Sequence, residues 1–263
     1  MQGLPLTLAL TALVLGGIGL GTTEFVTMGL LPEIAEGIGT TIPSAGHTIS
    51  AYAMGVVIGA PAIAILANRM PRREMLVGLM LVFAAGNALS AIASGYELLM
   101  LARFVCGIPH GAFFGIASII AFDIVAPGRG GWAVSRVMLG IPVANLAGVP
   151  LATWLGQQAG WRSAYWLVAA IGVLTAVLVA TVVPYQPGDK EARIRSELAA
   201  FRDSQVWLTL LVVAVMAVAW ATQRGDDAPA DDYSFTTLDE LRNTPGYDPN
   251  LYNDHSHERY EDN

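Results

Sequence analysis

Three ionisable side chains, Glu24, Arg103 and His110, lie inside long apolar stretches of the sequence. An ionised acid at the centre of a bilayer costs about 2.5–3.5 kcal/mol on insertion scales, so Glu24 is expected to face a water-filled cavity or to stay protonated. Either condition suits a carboxylate that exchanges protons. The alternative is a neutral Glu24 that only hydrogen-bonds a neighbouring helix.

Arg103 and His110 could likewise serve either in proton transfer or only in the packing of helices. Arg103 keeps its charge at any accessible pH, so it needs a polar cavity, a buried partner or an interface to which it can extend. His110 follows seven residues later, which places both side chains on one face of a helix. There the imidazole could relay protons near neutral pH, or it could form a hydrogen bond between helices.

The stretches around these residues predict an all-α membrane protein. The chain has 54% hydrophobic and 13% charged residues, a composition typical of proteins that reside in lipid. Because a helix needs about 20 apolar residues to cross the hydrocarbon core, length selects the spans. The six predicted spans cover about 6–31, 43–67, 75–94, 98–122, 132–157 and 161–184, and a marginal seventh covers 206–222.

Basic residues predict the orientation of these spans in the inner (plasma) membrane. With a cytoplasmic N-terminus, the loops after spans 2, 4 and 6 would hold nearly all of the basic residues, and the opposite loops would hold only Arg162. Such a bias is typical of cytoplasmic loops. The loop residues concerned are Arg69, Arg72, Arg73, Arg129, Lys190, Arg193, Arg195 and Arg202.

The composition divides the chain into four parts. Residues 1–184 carry the six spans, residues 185–205 form a predicted cytoplasmic loop, and residues 206–222 form the marginal span. Residues 224–263 hold 3 basic and 11 acidic residues with few aliphatic side chains. Such a composition buries too little apolar surface to fold, so 223–263 is predicted to be a disordered acidic tail.

Four motifs occur in order along these spans: "LGTTEFVTMGLLPEIA", "ILANRMPRRE", "LARFVCGIPHGAFFG" and "LGIPVANLAGVPLATWLGQQAGWRSAYW". Together they resemble the major facilitator superfamily, and within it the drug:proton antiporters of the bacterial sugar-efflux and chloramphenicol-resistance type. The resemblance covers about residues 5–215. It implies the N-terminal six-helix half of the fold, built as a three-plus-three inverted repeat. A second chain would then complete a truncated transporter.

The resemblance also assigns roles to individual residues. Glu24 matches the acid of the first helix that takes part in proton or cationic-substrate recognition, with Arg103 and His110 beside the cavity. In the family, charged residues at the cytoplasmic ends of the helices form a latch that holds one conformation of the transporter. The matching residues here are Asn68, Arg69, Arg72, Arg73, Asp123 and Arg136. Because Asn68 stands where the family has an acid, the latch is expected to be weaker. The antiporter motif of the fifth helix comprises Gly140, Pro142, Asn145, Gly148 and Pro150.

Two functional interpretations follow. The first is secondary active transport, in which protons drive the efflux of a small organic solute or drug across the lipid bilayer. The second is a non-transporting truncated membrane protein, or an anchor that presents the acidic tail to a partner. The sequence predicts no enzyme activity, no cofactor, no metal site and no nucleic-acid partner, because it lacks the corresponding motifs.

Overall fold

The computed structural model describes residues 3–67, 70–187, 208, 211, 212 and 215. Six helical spans in it are long and apolar enough to cross a membrane, which confirms the predicted all-α membrane fold. They are span 1 (Leu4–Gly29), span 2 (Ile42–Ala67), span 3 (Arg72–Ile92), span 4 (Tyr96–Ile124), span 5 (Gly130–Ala159) and span 6 (Arg162–Val182).

Span 1 ends earlier than predicted, at Gly29, and is followed by a separate short helix, Leu31–Gly37. Pro32 accounts for the break. Proline has no amide hydrogen, so it cannot donate to the carbonyl group of Met28 and continue the helix. The first turn of a new helix tolerates proline, because the amide groups there have no partner within the helix.

Span 5 is confirmed as one membrane-crossing segment, although its helix is interrupted. It consists of the helices Gly130–Met138 and Gly140–Val143, a π-helical turn at Ala144–Gly148, and the helix Val149–Ala159. Pro142 cannot donate to the carbonyl group of Met138, where the first helix ends. A π-helical turn inside a span often marks a functional site.

Glycine residues bring spans 2 and 4 into close contact. A Cβ atom on Gly107 would collide with the carbonyl oxygen of Tyr52, and one on Gly55 would collide with that of Phe104. Small residues at such positions allow two helix backbones to approach each other. The glycine spacing in these two spans therefore has a packing role.

Spans 1 and 5 approach each other in the same way. A Cβ atom on Gly140 would lie 2.8 Å from the Cα atom of Gly17, and one on Gly148 would collide with the Thr22 hydroxyl group. The π-helical turn thus lies directly against the part of span 1 that precedes Glu24.

The interior consists of two apolar clusters separated by a polar layer. One cluster includes Leu10, Met80 and Phe113, and the other includes Leu30 and Leu99. Between them lie buried polar residues, which are called the polar layer below. Its members are Thr22, Thr23, Asn87, Ser90 and Arg103.

The predicted seventh span belongs to the second of two units into which the chain divides, residues 200–263. Of this span the structure describes Leu208, Leu211, Val212 and Val215, which are helical. Its remaining residues, most of the predicted loop 185–205 and the acidic tail 223–263 lie outside the described residues. The predicted domain boundaries therefore stay predictions.

Candidate functional site

Arg103 occupies the centre of the polar layer and is fully buried. Its Nη1 atom donates to the Thr23 hydroxyl oxygen and its Nη2 atom donates to the Thr23 carbonyl oxygen, each at 3.0 Å. The Thr23 hydroxyl in turn donates to Asn87 Oδ1 over 2.7 Å. Thr23 thus joins spans 4, 1 and 3.

Two aromatic rings face the same guanidinium. The Cζ atom of Arg103 lies 4.5 Å from the centroid of the Tyr52 ring and 5.6 Å from that of Tyr165. Among the residues that the structure describes, no carboxylate forms an ion pair with Arg103. Hydrogen bonds and aromatic faces therefore hold this charge, and its Nε atom has no hydrogen-bond partner in the described part of the chain.

Glu24 lies at the edge of the polar layer and is partly open. Its side chain keeps 35% of its surface exposed, and its Oε2 atom is 3.9 Å from His110 Nε2. His110 retains only 12% exposure. The carboxyl group is thus neither sealed inside the bundle nor isolated from other ionisable groups.

The predicted shared face of Arg103 and His110 agrees with their contacts, since both touch Tyr52. The Tyr52 hydroxyl group lies 2.6 Å from His110 Nδ1, and the tyrosine side chain is almost completely buried. The structure therefore brings the three predicted residues Glu24, Arg103 and His110 into one cluster.

Sequence reasoning missed Tyr52, although a signal for it exists. Gly55 and Gly59 in span 2 have the same four-residue spacing as Gly107 and Gly111 in span 4. Matching the two pairs aligns the spans and places residue 52, one turn before Gly55, against the segment that carries Arg103 and His110.

The predicted latch contains one close ion pair. Arg72 Nη1 lies 2.8 Å from Asp123 Oδ2, and both side chains are partly exposed. The Arg72 amide donates to the carbonyl oxygen of Gln186, and Arg73 lies over the Tyr185 ring at 5.5 Å. The start of span 3 therefore contacts both the end of span 4 and the segment that follows span 6.

The other predicted latch residues are not part of this ion pair. The exposed Arg136 stacks on the Trp132 ring, with 4.4 Å between its Cζ atom and the ring centroid. The first helix of span 5 begins at Gly130, so Arg136 lies within this helix and not at its start. Its side chain packs on Trp132 of the same helix. Asn68 and Arg69 lie outside the described residues.

The predicted antiporter motif divides between two faces of span 5. Gly140 and Gly148 pack against span 1, while Pro142, Asn145 and Pro150 are exposed. The two glycines permit the close contact, and the second of them is the last residue of the π-helical turn. The motif therefore shapes the surface on which the Glu24 span rests.

The other clusters and grooves among the described residues have fewer polar and ionisable side chains that could act in a functional site. No group of three or more His, Cys, Asp and Glu side chains there is arranged to hold a metal ion. A groove of about 710 Å³ between spans 3 and 6 is lined by apolar side chains, among them Leu81, Trp166 and Val173. The polar cluster around Glu24 is the stronger candidate for function.

Comparisons with known proteins identify the family of the chain. The model of the Major Facilitator Superfamily matches residues 13–244. The "Inner membrane transport protein YdhP" of Escherichia coli (strain K12) is 43% identical over 213 residues, which cover 81% of this chain and 55% of that protein. The "Chloramphenicol resistance protein" of Streptomyces lividans is 35% identical over 222 residues, covering 82% and 56%.

Solved structures support the fold. A crystal structure of a D-xylose–proton symporter has a TM-score of 0.59 at 18% identity, covering 82% of this chain and 53% of that one. The chain spans about half the length of the curated relatives it matches. The likeness thus extends over the six described spans and corresponds to one half of such a protein.

Proposed function

Because the chain belongs to the major facilitator superfamily, we propose that it contributes the N-terminal six-helix half of a proton-coupled exporter of a small organic solute or drug. It is a multi-pass membrane protein of the inner-membrane type, and it belongs to a family of transporters rather than enzymes. Members of this family move small molecules, commonly together with protons. Export, the proton as coupling ion and the solute class are the proposed parts.

The observation that carries the proposal is the position of Glu24 beside His110 and near the sealed charge of Arg103. Glu24 keeps 35% of its side-chain surface exposed, whereas Arg103 is completely buried. We place the exposed part of Glu24 in a water-filled cavity from which the guanidinium group is sealed. One group then changes its charge when it binds a proton, and the other supplies a constant positive field.

This contrast gives proton binding a mechanical consequence. An ionised Glu24 is attracted toward Arg103 and His110, and a protonated Glu24 is not. The two protonation states therefore favour different packing of span 1 against spans 2 and 4. Span 1 also rests on the π-helical turn of span 5, so this movement would pass to a second span.

The Arg72–Asp123 pair supports the proposal that the transporter alternates between conformations. It ties the start of span 3 to the end of span 4 at one end of the bundle, as expected of a latch that holds one conformation. A second six-helix half would supply the opposite wall of the solute cavity. The comparisons give no support for a separate second chain.

The test uses the full chain in proteoliposomes, reconstituted at a density at which two copies can pair and each can supply the wall that the other lacks, with an imposed pH gradient and labelled chloramphenicol as the probe. Glu24→Gln is expected to abolish gradient-driven efflux, because an amide of the same shape cannot bind the proton. Glu36→Gln removes an exposed carboxyl group from the short helix after span 1, and it is expected to leave efflux unchanged.

Two results would contradict the proposal. Gradient-driven efflux that persists in Glu24→Gln would remove Glu24 from the coupling mechanism. A folded chain that moves no probe, with or without the gradient, would favour the non-transporting membrane anchor.

A further inference from the structure

His110 is held in a defined orientation by aromatic neighbours. The Tyr52 ring meets the imidazole edge-on, with 5.8 Å between centroids and an interplanar angle of 85°. The Phe114 ring lies on another side, with its centroid at 5.5 Å. The two rings border the imidazole on different sides, so its two nitrogen atoms have different environments.

The two nitrogen atoms of His110 face different partners. Nδ1 lies 2.6 Å from the Tyr52 hydroxyl group, and Nε2 points toward Glu24. A neutral imidazole carries one hydrogen, and the hydrogen bond at one nitrogen determines which tautomer is present. If the phenol donates to Nδ1, the hydrogen must be on Nε2, where it faces the carboxyl group.

From this arrangement we propose that Tyr52 is a positioning residue for the proton site. Its hydroxyl group fixes the His110 tautomer that directs Nε2–H at Glu24, and His110 then stabilises the ionised form of Glu24. When Glu24 binds a proton, that proton forms the O–H bond of the carboxyl group, and no covalent bond of His110 or Tyr52 changes. The inference rests on the proposed role of Glu24 and adds a residue to it.

The gap between Glu24 and His110 fits a contact that opens and closes. The distance of 3.9 Å is longer than a hydrogen bond, and either rotation of the partly exposed glutamate or one bridging water molecule closes it. Tyr52 is fixed by burial, so His110 presents the same nitrogen to Glu24 in both states.

The groups that form the cluster come from three spans. Glu24 approaches from span 1, Tyr52 from span 2, and Arg103 from span 4, which also carries His110. The Arg103 guanidinium packs on the Tyr52 ring at 4.5 Å. The Tyr52 side chain therefore contacts the permanent cation through its ring and the imidazole through its hydroxyl group.

The direct test is nitrogen-15 NMR of histidine-labelled, detergent-solubilised full chain, because the nitrogen shifts of an imidazole report its tautomer. The His110 signals are identified by their loss in His110→Gln. In the wild-type protein with Glu24 ionised, we expect a single His110 tautomer with the hydrogen on Nε2. In Tyr52→Phe, which keeps the ring on Arg103 but removes the hydroxyl group, we expect a mixture of tautomers.

Tyr165→Phe is the matched control. The Tyr165 ring also faces Arg103, and its hydroxyl group bonds Thr27 instead of a histidine. This variant is expected to leave the His110 signals unchanged. His47 offers an internal comparison, since its Nδ1 meets the Tyr96 hydroxyl at 3.1 Å on the exposed surface, where rapid tautomer exchange is expected.

The proposal is overturned if wild-type His110 carries its hydrogen on Nδ1, a result that needs no variant to fold. It is also overturned if Tyr52→Phe gives the wild-type His110 spectrum. In proteoliposomes, Tyr52→Phe is expected to lower gradient-driven chloramphenicol efflux about fivefold, the effect of losing one hydrogen bond, and Tyr165→Phe is expected to lower it less.

The two proposals fail in different ways. If Glu24→Gln abolishes efflux but Tyr52→Phe leaves the tautomer unchanged, the role of Tyr52 is wrong and proton-coupled export stands. If the tautomer depends on Tyr52 but no variant or wild-type chain exports the probe, the hydrogen-bond arrangement stands and its proposed use in transport does not.

Discussion

Arg103 shows how a helical bundle can bury a permanent charge without a carboxylate. A hydrogen bond from a charged donor contributes about 1.5–3 kcal/mol, and a desolvated cation–π contact contributes about 2 kcal/mol. Arg103 has two such hydrogen bonds to Thr23 and two aromatic neighbours. Together these contacts offset much of the several kcal/mol that desolvation of a single charge costs.

The absence of an ion pair to Arg103 in the described part of the chain has a functional consequence. A carboxylate bonded directly to the guanidinium would be held in its ionised form and could not cycle. Glu24 is near the positive charge, but its Oε2 atom lies 3.9 Å from His110 Nε2 instead. In the proposed mechanism, its protonation would then follow the pH on the side of the membrane to which the site opens.

Replacement of the Arg72–Asp123 pair is predicted to change stability only slightly. Both side chains are partly exposed, at 34% and 44%, and exposed ion pairs typically contribute about 0.2–1 kcal/mol. In a double-mutant cycle with Arg72→Gln and Asp123→Asn, we expect a coupling energy in that range. Thermal unfolding of the detergent-solubilised chain measures it.

Arg73→Gln is the matched control for this cycle. Arg73 is the next residue along the chain, but it lies over the Tyr185 ring and not beside Asp123. The changes in unfolding free energy caused by Arg73→Gln and Asp123→Asn are expected to be additive, with no coupling energy between them. A coupling energy of zero between Arg72 and Asp123 would show that the pair does not act as a latch.

Residue types and spacing predicted much of this site. A lone acid or arginine in a span has few stable environments, so Glu24, Arg103 and His110 could be grouped before their contacts were known. Tyr52 was harder to find, because a tyrosine in an apolar span carries no charge that demands a partner. Its role appears only when the register between spans 2 and 4 is known, and backbone contacts at glycine set that register.

At the scale of helices, close packing of spans 2 and 4 gives the sharpest prediction. Gly107→Ala would place a Cβ atom against the Tyr52 carbonyl oxygen, a backbone atom that cannot rotate away. Overpacking of this kind typically costs about 1–3 kcal/mol. We expect a lower unfolding temperature of the detergent-solubilised chain, together with a changed His110 NMR spectrum, because the two spans must separate.

Gly115→Ala is the control on the same helix. Nothing lies within 4 Å of a Cβ atom at this position, two turns further along span 4. It is expected to leave the unfolding temperature unchanged or slightly raised, because alanine favours a helix over glycine. Equal destabilisation by both substitutions would mean that spans 2 and 4 do not meet at Gly107.

The spans themselves were predictable, but their interruptions were less so. Length and composition suffice for the spans, because a bilayer imposes one minimum length on every helix that crosses it. The π-helical turn at Ala144–Gly148 and the short helix Leu31–Gly37 depend on where proline removes a hydrogen-bond donor. Whether such a residue kinks, ends or restarts a helix depends on its neighbours in space, which the sequence does not reveal.

At the scale of the whole bundle, its two ends differ in charge. Arg72, Arg73, Arg129 and Arg136 occur where spans 3 and 5 begin. At the other end the Arg162 guanidinium donates to the Ala93 carbonyl oxygen over 2.8 Å and packs on the Trp161 ring. One end therefore presents several basic side chains, while the single arginine of the other end is tied to the protein.

This asymmetry predicts which end faces the cytoplasm, because loops rich in arginine and lysine are retained there. Ser94→Cys places a thiol in the exposed loop between spans 3 and 4, and Gly131→Cys places one at the opposite end, where a side chain meets no neighbour within 4 Å. In intact cells a membrane-impermeant maleimide is expected to label Ser94→Cys only, and Gly131→Cys only after permeabilisation.

The unmodified chain is the control, because its one cysteine, Cys106, is buried and should not react. The reverse pattern would place the arginine-rich end outside the cell, and the Arg72–Asp123 pair would then close the external side of the transporter.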